Sequence, residues 1–327
     1  MQFRTEIHLP AATHLLSHET PILLLGSCFA DEVGARLRQA KWPALVNPFG
    51  TLFNPLTLTN LLTRALAGQA LSELGFAQRD GLHFHYDLPA TFAEPSLADL
   101  RRRAGAGLAQ VGAWLHSPGP RCLVLTLGTA WVYVLKSTGQ PVANCHKMPA
   151  ARFEKKLLGV EEIQQSLGPL LARLPAGVRV VLTVSPVRHL KDTLPLNAVS
   201  KAALRLACHY LCEAHAQTTY FPAYELVTDD LRDYRFYAPD MLHPTPQAVD
   251  YVFTKFIDAY LDPAAKEFLA NWASIRAALA HRPLHPGSMA HRQFLLDLLA
   301  RLQALQGMEV ASELAQVQQW LTDSPQP

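Results

Sequence analysis

The stretch Pro21-Ile22-Leu23-Leu24-Leu25-Gly26-Ser27-Cys28-Phe29-Ala30 decides how the chain folds. Four apolar residues, Ile22 to Leu25, run without alternation into Gly26. A short continuous apolar run closed by glycine predicts a strand buried on both faces. The next residues, 30–39, read as a helix. A strand that turns at once into a helix sets the Ser27 side chain at the carboxyl edge of a sheet. Backbone N–H groups at the helix start favour negative charge there. Ser27 can therefore act as a nucleophile, or simply as the helix N-cap. The stretch alone leaves both roles open.

The same pattern recurs outward from this turn. Cys122–Leu127 and Val178–Val184 are further continuous apolar runs, ending in Gly128-Thr129 and Ser185-Pro186. A short segment from Trp42 ends in Asn47-Pro48-Phe49-Gly50, and Tyr220 begins a fourth strand. Helical patterns fall between, over about 54–67, 96–115, 161–174, 196–215 and 245–261. Gly81–Leu88 alternates like a hairpin strand, and Trp131–Leu135 reads as another strand. Strands alternating with helices predict an α/β fold, a mostly parallel sheet with helices on both faces. Sites in such sheets form at the carboxyl ends of the strands. From Pro263 the pattern becomes three helices, over 266–281, 289–306 and 310–321, broken by Pro283, Pro286-Gly287 and Gly307. Residues 1–262 are thus expected to form the main domain and 263–327 a helical extension, ending in a frayed tail over 324–327.

Composition narrows the function. Lys+Arg number 29 against Asp+Glu 27, a formal charge of +2 over 327 residues. So even a balance argues against a nucleic-acid or anionic-lipid partner. No apolar segment is long enough for a membrane span. Met1 to Glu6 lacks the charged-then-apolar pattern of a signal peptide. The five cysteines are odd in number and lack paired CxxC spacing, so reduced thiols and a cytoplasmic location are expected. No cofactor or metal is expected. Cys145 and His146 are adjacent with no second pair, and His83 and His85 read as one face of a surface strand.

The second chemical element is Asp240-Met241-Leu242-His243-Pro244. An Asp three residues before a His can turn its carboxylate onto the Nδ1–H of the ring. That fixes the tautomer and leaves Nε2 as a base toward a serine hydroxyl.

With these blocks in view, the chain resembles the GSCFA family, within the SGNH (GDSL-like) hydrolase superfamily. Gly26-Ser27-Cys28-Phe29-Ala30 carries the resemblance, and five further blocks follow in order: Asn47 to Gly50, Leu127-Gly128-Thr129, Asn144-Cys145-His146-Lys147, Ser185 to His189, and Asp240 to Pro244. It spans about Pro21 to Leu261 and does not cover the extension. The resemblance implies a three-layer α/β/α, flavodoxin-like sheet. It also implies a serine esterase or deacetylase, with Ser27 as nucleophile, His243 as base and Asp240 as its orienter. The Ser27 N–H and the Gly50 N–H would be oxyanion donors. The superfamily's third block usually reads Gly-x-Asn, whereas here it is Gly128-Thr129-Ala130. Thr129, Asn144 or His146 would then supply the third donor. One lost donor costs about 2.7–4 kcal/mol of transition-state stabilisation.

Asn47, His146 and Arg188 are the substrate-binding candidates. Arg188 can instead pair with Asp240 or Asp230, and His146 can be a structural loop residue. Cys28 reads as a small buried residue. Ser200-Lys201 does not read as a dyad, since adjacent helical residues face different ways. The expected substrate is a small-molecule or carbohydrate ester, such as an O-acyl sugar. An O-acyltransferase using the same residues and a non-catalytic binding protein are the alternatives, and a homodimer is left open.

Overall fold

A computed structural model of the chain describes residues 4–305 and 308–323; the predicted breaker Gly307 and the tail over 324–327 lie outside them. The first strand, β1 (Ile22–Gly26), leads into α1 (Cys28–Gln39), β2 (Ala44–Val46) and α2 (Pro55–Leu66). A hairpin follows, β3 (Phe76–Arg79) and β4 (Leu82–His85), then α3 (Leu97–His116) and β5 (Arg121–Leu127). After β6 (Trp131–Leu135), β7 (Gln140–Val142) and β8 (Phe153–Leu157), the alternation resumes with α4 (Val160–Arg173), β9 (Val178–Val184), α5 (Thr193–Ala214) and β10 (Thr218–Tyr220). Then come α6 (Ala223–Glu225), a π-helical turn over Leu226–Leu231, and α7 (Pro246–Tyr260).

The central sheet has five strands in the order β10-β9-β5-β1-β2, every pairing parallel. That is the doubly wound order 2-1-3-4-5, whose switch point lies between β1 and β5. Continuous apolar runs fit because both faces are covered. Leu23 and Leu25 pack against the layer of α2, α3, α4 and α5, while Ile22 and Leu24 pack with α1 and α7. Each fully buried leucine or isoleucine contributes about 1.5–3 kcal/mol.

One strand finds its partners outside the main sheet, and one expected boundary is corrected. Trp131–Leu135 forms a strand as expected, but not in the parallel sheet. It is the middle strand of an antiparallel sheet, β7-β6-β8. Val132 packs into the main core and Leu135, on the opposite face, into a small cluster with Phe84, Val142 and Phe153, while Tyr133 is exposed. The fourth parallel strand ends at Tyr220 rather than beginning there. Thr218 and Thr219 carry its β-branched character, and Pro222 lacks the N–H to continue it.

Three more helices complete the chain: α8 (Pro263–Ala280), α9 (Met289–Gln303) and α10 (Ala311–Asp323). They share an apolar core of their own, centred on Trp272, Ile275, Leu295, Leu298, Leu302 and Val317. Trp272 Nε1–H donates to Gln39 O at 2.7 Å, and Lys41 pairs with Glu313 at 2.7 Å. These contacts meet the C-terminal end of α1, at the amino edge of the sheet. No helix among the described residues is long and apolar enough to cross a membrane.

Candidate functional site

β1 ends at Gly26 with φ +136°, a conformation open to glycine alone, and a Cβ there would lie 2.1 Å from Thr126 O. The bare backbone lets the turn press onto β5, where Ser27 N–H donates to Thr126 O at 3.1 Å. Ser27 itself is wholly buried. Its Oγ accepts from Phe29 N–H at 3.3 Å, so it is the N-cap of α1. Burial raises the Cys28 thiol pKa, with Asp31 adding to the effect, which keeps that neighbour protonated and unreactive.

Asn47 clamps this turn from β2. It adopts φ 42°, accepts Gly26 N–H on Oδ1 at 2.9 Å and donates from Nδ2 to Asp31 Oδ1 at 2.8 Å. Both ends of its amide are engaged within the fold, so it is not a substrate contact as expected. Gly50 N–H donates to Asn47 O at 2.7 Å, closing the Asn47–Gly50 turn. Neither the Gly50 nor the Ser27 N–H is therefore free as an oxyanion donor in this conformation.

The Asp240 turn forms as the spacing predicts. His243 Nδ1 lies 2.6 Å from Asp240 Oδ2, while Oδ1 accepts Leu242 N–H at 2.9 Å and His243 N–H at 3.0 Å. Those backbone donors, with the ring, draw the Asp240 pKa down to about 2. A charged acceptor at Nδ1 places the proton there and leaves Nε2 with its lone pair. Met241 reaches φ 59° to make the turn, and Ala238 N–H to His243 O at 2.7 Å staples its ends.

Arg188 holds this turn against the end of β9. Its N–H donates to Leu242 O at 3.2 Å and its Nη1 to Met241 O at 3.3 Å, with the guanidinium 3.9 Å from the Tyr237 ring centre. The expected pairing with Asp240 or Asp230 does not occur. Asp230 is buried and accepts the Tyr251 hydroxyl at 2.7 Å. Arg188 positions the histidine turn by reaching its carbonyls. The structure thus brings Asp240, His243 and Arg188 together at the carboxyl edge. Ser27 lies at the same edge, but among the described residues no hydrogen bond joins it to His243.

Lys201 was weighed in the sequence only as half of a dyad with Ser200 and set aside, yet the structure makes it central to this edge. It is wholly buried on α5, and its Nζ donates to Gly128 O at 2.7 Å and Ser185 O at 2.6 Å, tying the ends of β5 and β9. Burial brings its pKa down to about 7. Ser200 works beside it, its Oγ accepting Ala130 N–H at 2.8 Å and meeting Thr129 Oγ1 at 3.1 Å. Adjacent helical side chains diverge by roughly 100°, yet both reach the same turn because α5 lies directly over it. The Thr129 hydroxyl also accepts Trp131 N–H at 3.0 Å, so its oxygen is held within this turn.

Above this edge opens a cleft of about 990 Å³ between the β6–β8 insert and the loop from Arg188 to Asp192. Asn144 lines it, with Oδ1 accepting His146 N–H at 2.7 Å; its Nδ2 makes no hydrogen bond among the described residues. His146 also borders the cleft, but its Nε2 lies 3.1 Å from His85 O and 3.0 Å from Leu88 O. Two carbonyl acceptors require Nε2–H, and the ring stacks on Phe84 at 4.1 Å, so His146 is structural. His85 is likewise buried, against the surface position expected, with Nε2 2.9 Å from Ser72 O.

A doubly wound sheet with a carboxylate–histidine pair on its carboxyl edge and a helical extension at the other defines the class. The chain belongs to the GSCFA family, whose model matches residues 21–256. A second model, described as the C-terminal domain of GSCFA domain proteins, matches residues 272–323. No curated protein and no solved structure matches the chain.

Proposed function

We propose that the protein is a serine hydrolase of the SGNH type that cleaves an ester, with Ser27, His243 and Asp240 in the roles of nucleophile, base and orienter. The observation that carries this is the 2.6 Å bond from His243 Nδ1 to Asp240, set on the sheet edge where Ser27 ends β1. Ser27 Oγ would attack the acyl carbon while His243 Nε2 takes its proton. Asp240 would stabilise the resulting imidazolium, which then protonates the leaving alkoxide. Water, activated by the same histidine, would cleave the acyl-Ser27 ester. Attack requires the Ser27 hydroxyl to leave its cap and meet His243. The Asp240 turn is exposed on the sheet edge, so the two groups would meet by a shift of this turn or of the start of α1.

Treatment of the folded protein with a fluorophosphonate is expected to label Ser27, and Ser27→Ala to abolish both labelling and aryl-ester hydrolysis. His243→Ala should lower the hydrolysis rate by roughly 10²–10⁴. Hydrolysis that survives Ser27→Ala would remove the assignment. The burial of Ser27 under α1 favours one other reading, a binding protein on the same scaffold. It predicts a folded sample that binds ligand in the cleft and takes no label.

A further inference from the structure

The cleft beside the Asp240 turn carries a charge pattern that ester cleavage alone does not call for. Five cations line it: Arg79, Lys147, Lys155, Arg188 and Lys191. The two acids in its wall are both neutralised there, Asp80 by Arg79 at 3.1 Å and Asp192 by Lys155. Lys147, Arg188 and Lys191 have no carboxylate partner among the described residues. This local surplus exceeds the +2 of the entire chain, so it reflects placement rather than general basicity. Low-dielectric walls around such a surplus concentrate an anion.

The remaining lining has a second character. Tyr133 and Phe53 are partly exposed, and the Lys155 ammonium lies 4.7 Å from the centre of the Trp131 ring. Flat apolar faces with a few placed polar groups suit a ligand that has an apolar face and a polar rim. The polar groups are present. Asn144 keeps an unengaged amide nitrogen, and His189 Nε2 is buried without a hydrogen-bond partner among the described residues. A buried ring nitrogen in that state favours a ligand hydroxyl. At about 990 Å³ the cleft has room for more than one sugar ring.

We propose that this cleft binds a carboxylated saccharide, its carboxylate among Lys147, Lys191 and Arg188, its ring face on Tyr133 and a hydroxyl on His189. The flat aromatic faces beside these cations fit an acid carried on a sugar ring rather than a bare anion. The assignment concerns binding and is independent of whether Ser27 is acylated.

The test is calorimetric titration of the full-length protein with trigalacturonate, with neutral galactotriose and with glucose 1-phosphate. Trigalacturonate should bind, and the other two should bind at least tenfold more weakly. Lys147→Glu combined with Lys191→Glu lies on exposed positions. It should leave the unfolding temperature unchanged and weaken trigalacturonate tenfold or more. Failure of trigalacturonate to bind, equal binding of galactotriose, preference for glucose 1-phosphate, or an unaffected double variant would each overturn the proposal. Fluorophosphonate labelling of Ser27, measured separately, tells that failure apart from a failure of the hydrolase reading.

Discussion

His189 is where the chemistry of the carboxyl edge has a measurable consequence for stability. Its backbone N–H is held by Asn197 Oδ1 at 3.0 Å, and its ring meets Phe53 edge-on at 5.5 Å. Burial, followed by the nearby Lys201 ammonium, pushes its pKa down to about 4. In the unfolded chain the imidazole takes up a proton as pH falls below about 6.5. The folded protein resists that proton until about pH 4, so between these values the unfolded state binds more protons. Stability therefore falls as pH drops through the window from 6.5 to 4. His189→Gln removes this titration. Its unfolding temperature should fall less than that of the wild type between pH 7.5 and 5; equal falls would show that His189 is not the group responsible. Asp240 acts in a lower window. Its depressed pKa gives the turn a stabilisation that is present above about pH 4 and is lost as pH falls toward 2.

Among the elements, the turn from β1 to α1 is the least tolerant. Gly26→Ala places a methyl 2.1 Å from Thr126 O at a φ of +136°. Backbone strain of about 1–3 kcal/mol and overpacking of about 1–3 kcal/mol would add. Urea unfolding should show a loss within the sum of those ranges, and a loss below about 1 kcal/mol would mean the β1–β5 approach is looser than described. This turn was legible in the sequence because its cause is local: a continuous apolar run, a glycine and a serine cap. The Asp240 turn was legible for the same reason, since a carboxylate reaches a histidine three residues on within one turn. The roles of Asn47 and His146 were not, because their hydrogen bonds are closed by residues from other elements, and the Gly50 N–H was read as free although Asn47 O in its own turn takes it. Lys201 did leave a signal. It falls in the buried stripe of α5 with Asn197, Leu204, Cys208 and Leu211, and a lysine in an apolar stripe calls for buried acceptors. Those acceptors, Gly128 O and Ser185 O, lie on two different strands and could not be named from spacing. Of the β6–β8 insert only Trp131–Leu135 was read, as a strand with no partner assigned, because strand propensity marks a strand without naming its partner.

Across the whole molecule the two ends of α1 separate two jobs. Its first turn carries the Ser27 cap, and its last residue, Gln39, accepts the Trp272 indole at 2.7 Å. Twelve helical residues place these points about 18 Å apart. The extension therefore braces the amino edge of the sheet while the cleft and the Asp240 turn occupy the other. Trp272 is buried in the core shared by α8, α9 and α10 and also anchors that core to α1. Trp272→Ala should cost about 3–5 kcal/mol of the extension's stability. Limited proteolysis is then expected to cut first within residues 263–323, leaving a resistant fragment that carries the sheet. Labelling of Ser27 by fluorophosphonate and titration with trigalacturonate should both be unchanged, since Trp272 meets α1 at the end away from the Ser27 cap. A change in either, with the sheet still folded, would mean that α1 transmits strain along its length and that the extension governs the site rather than only supporting the sheet.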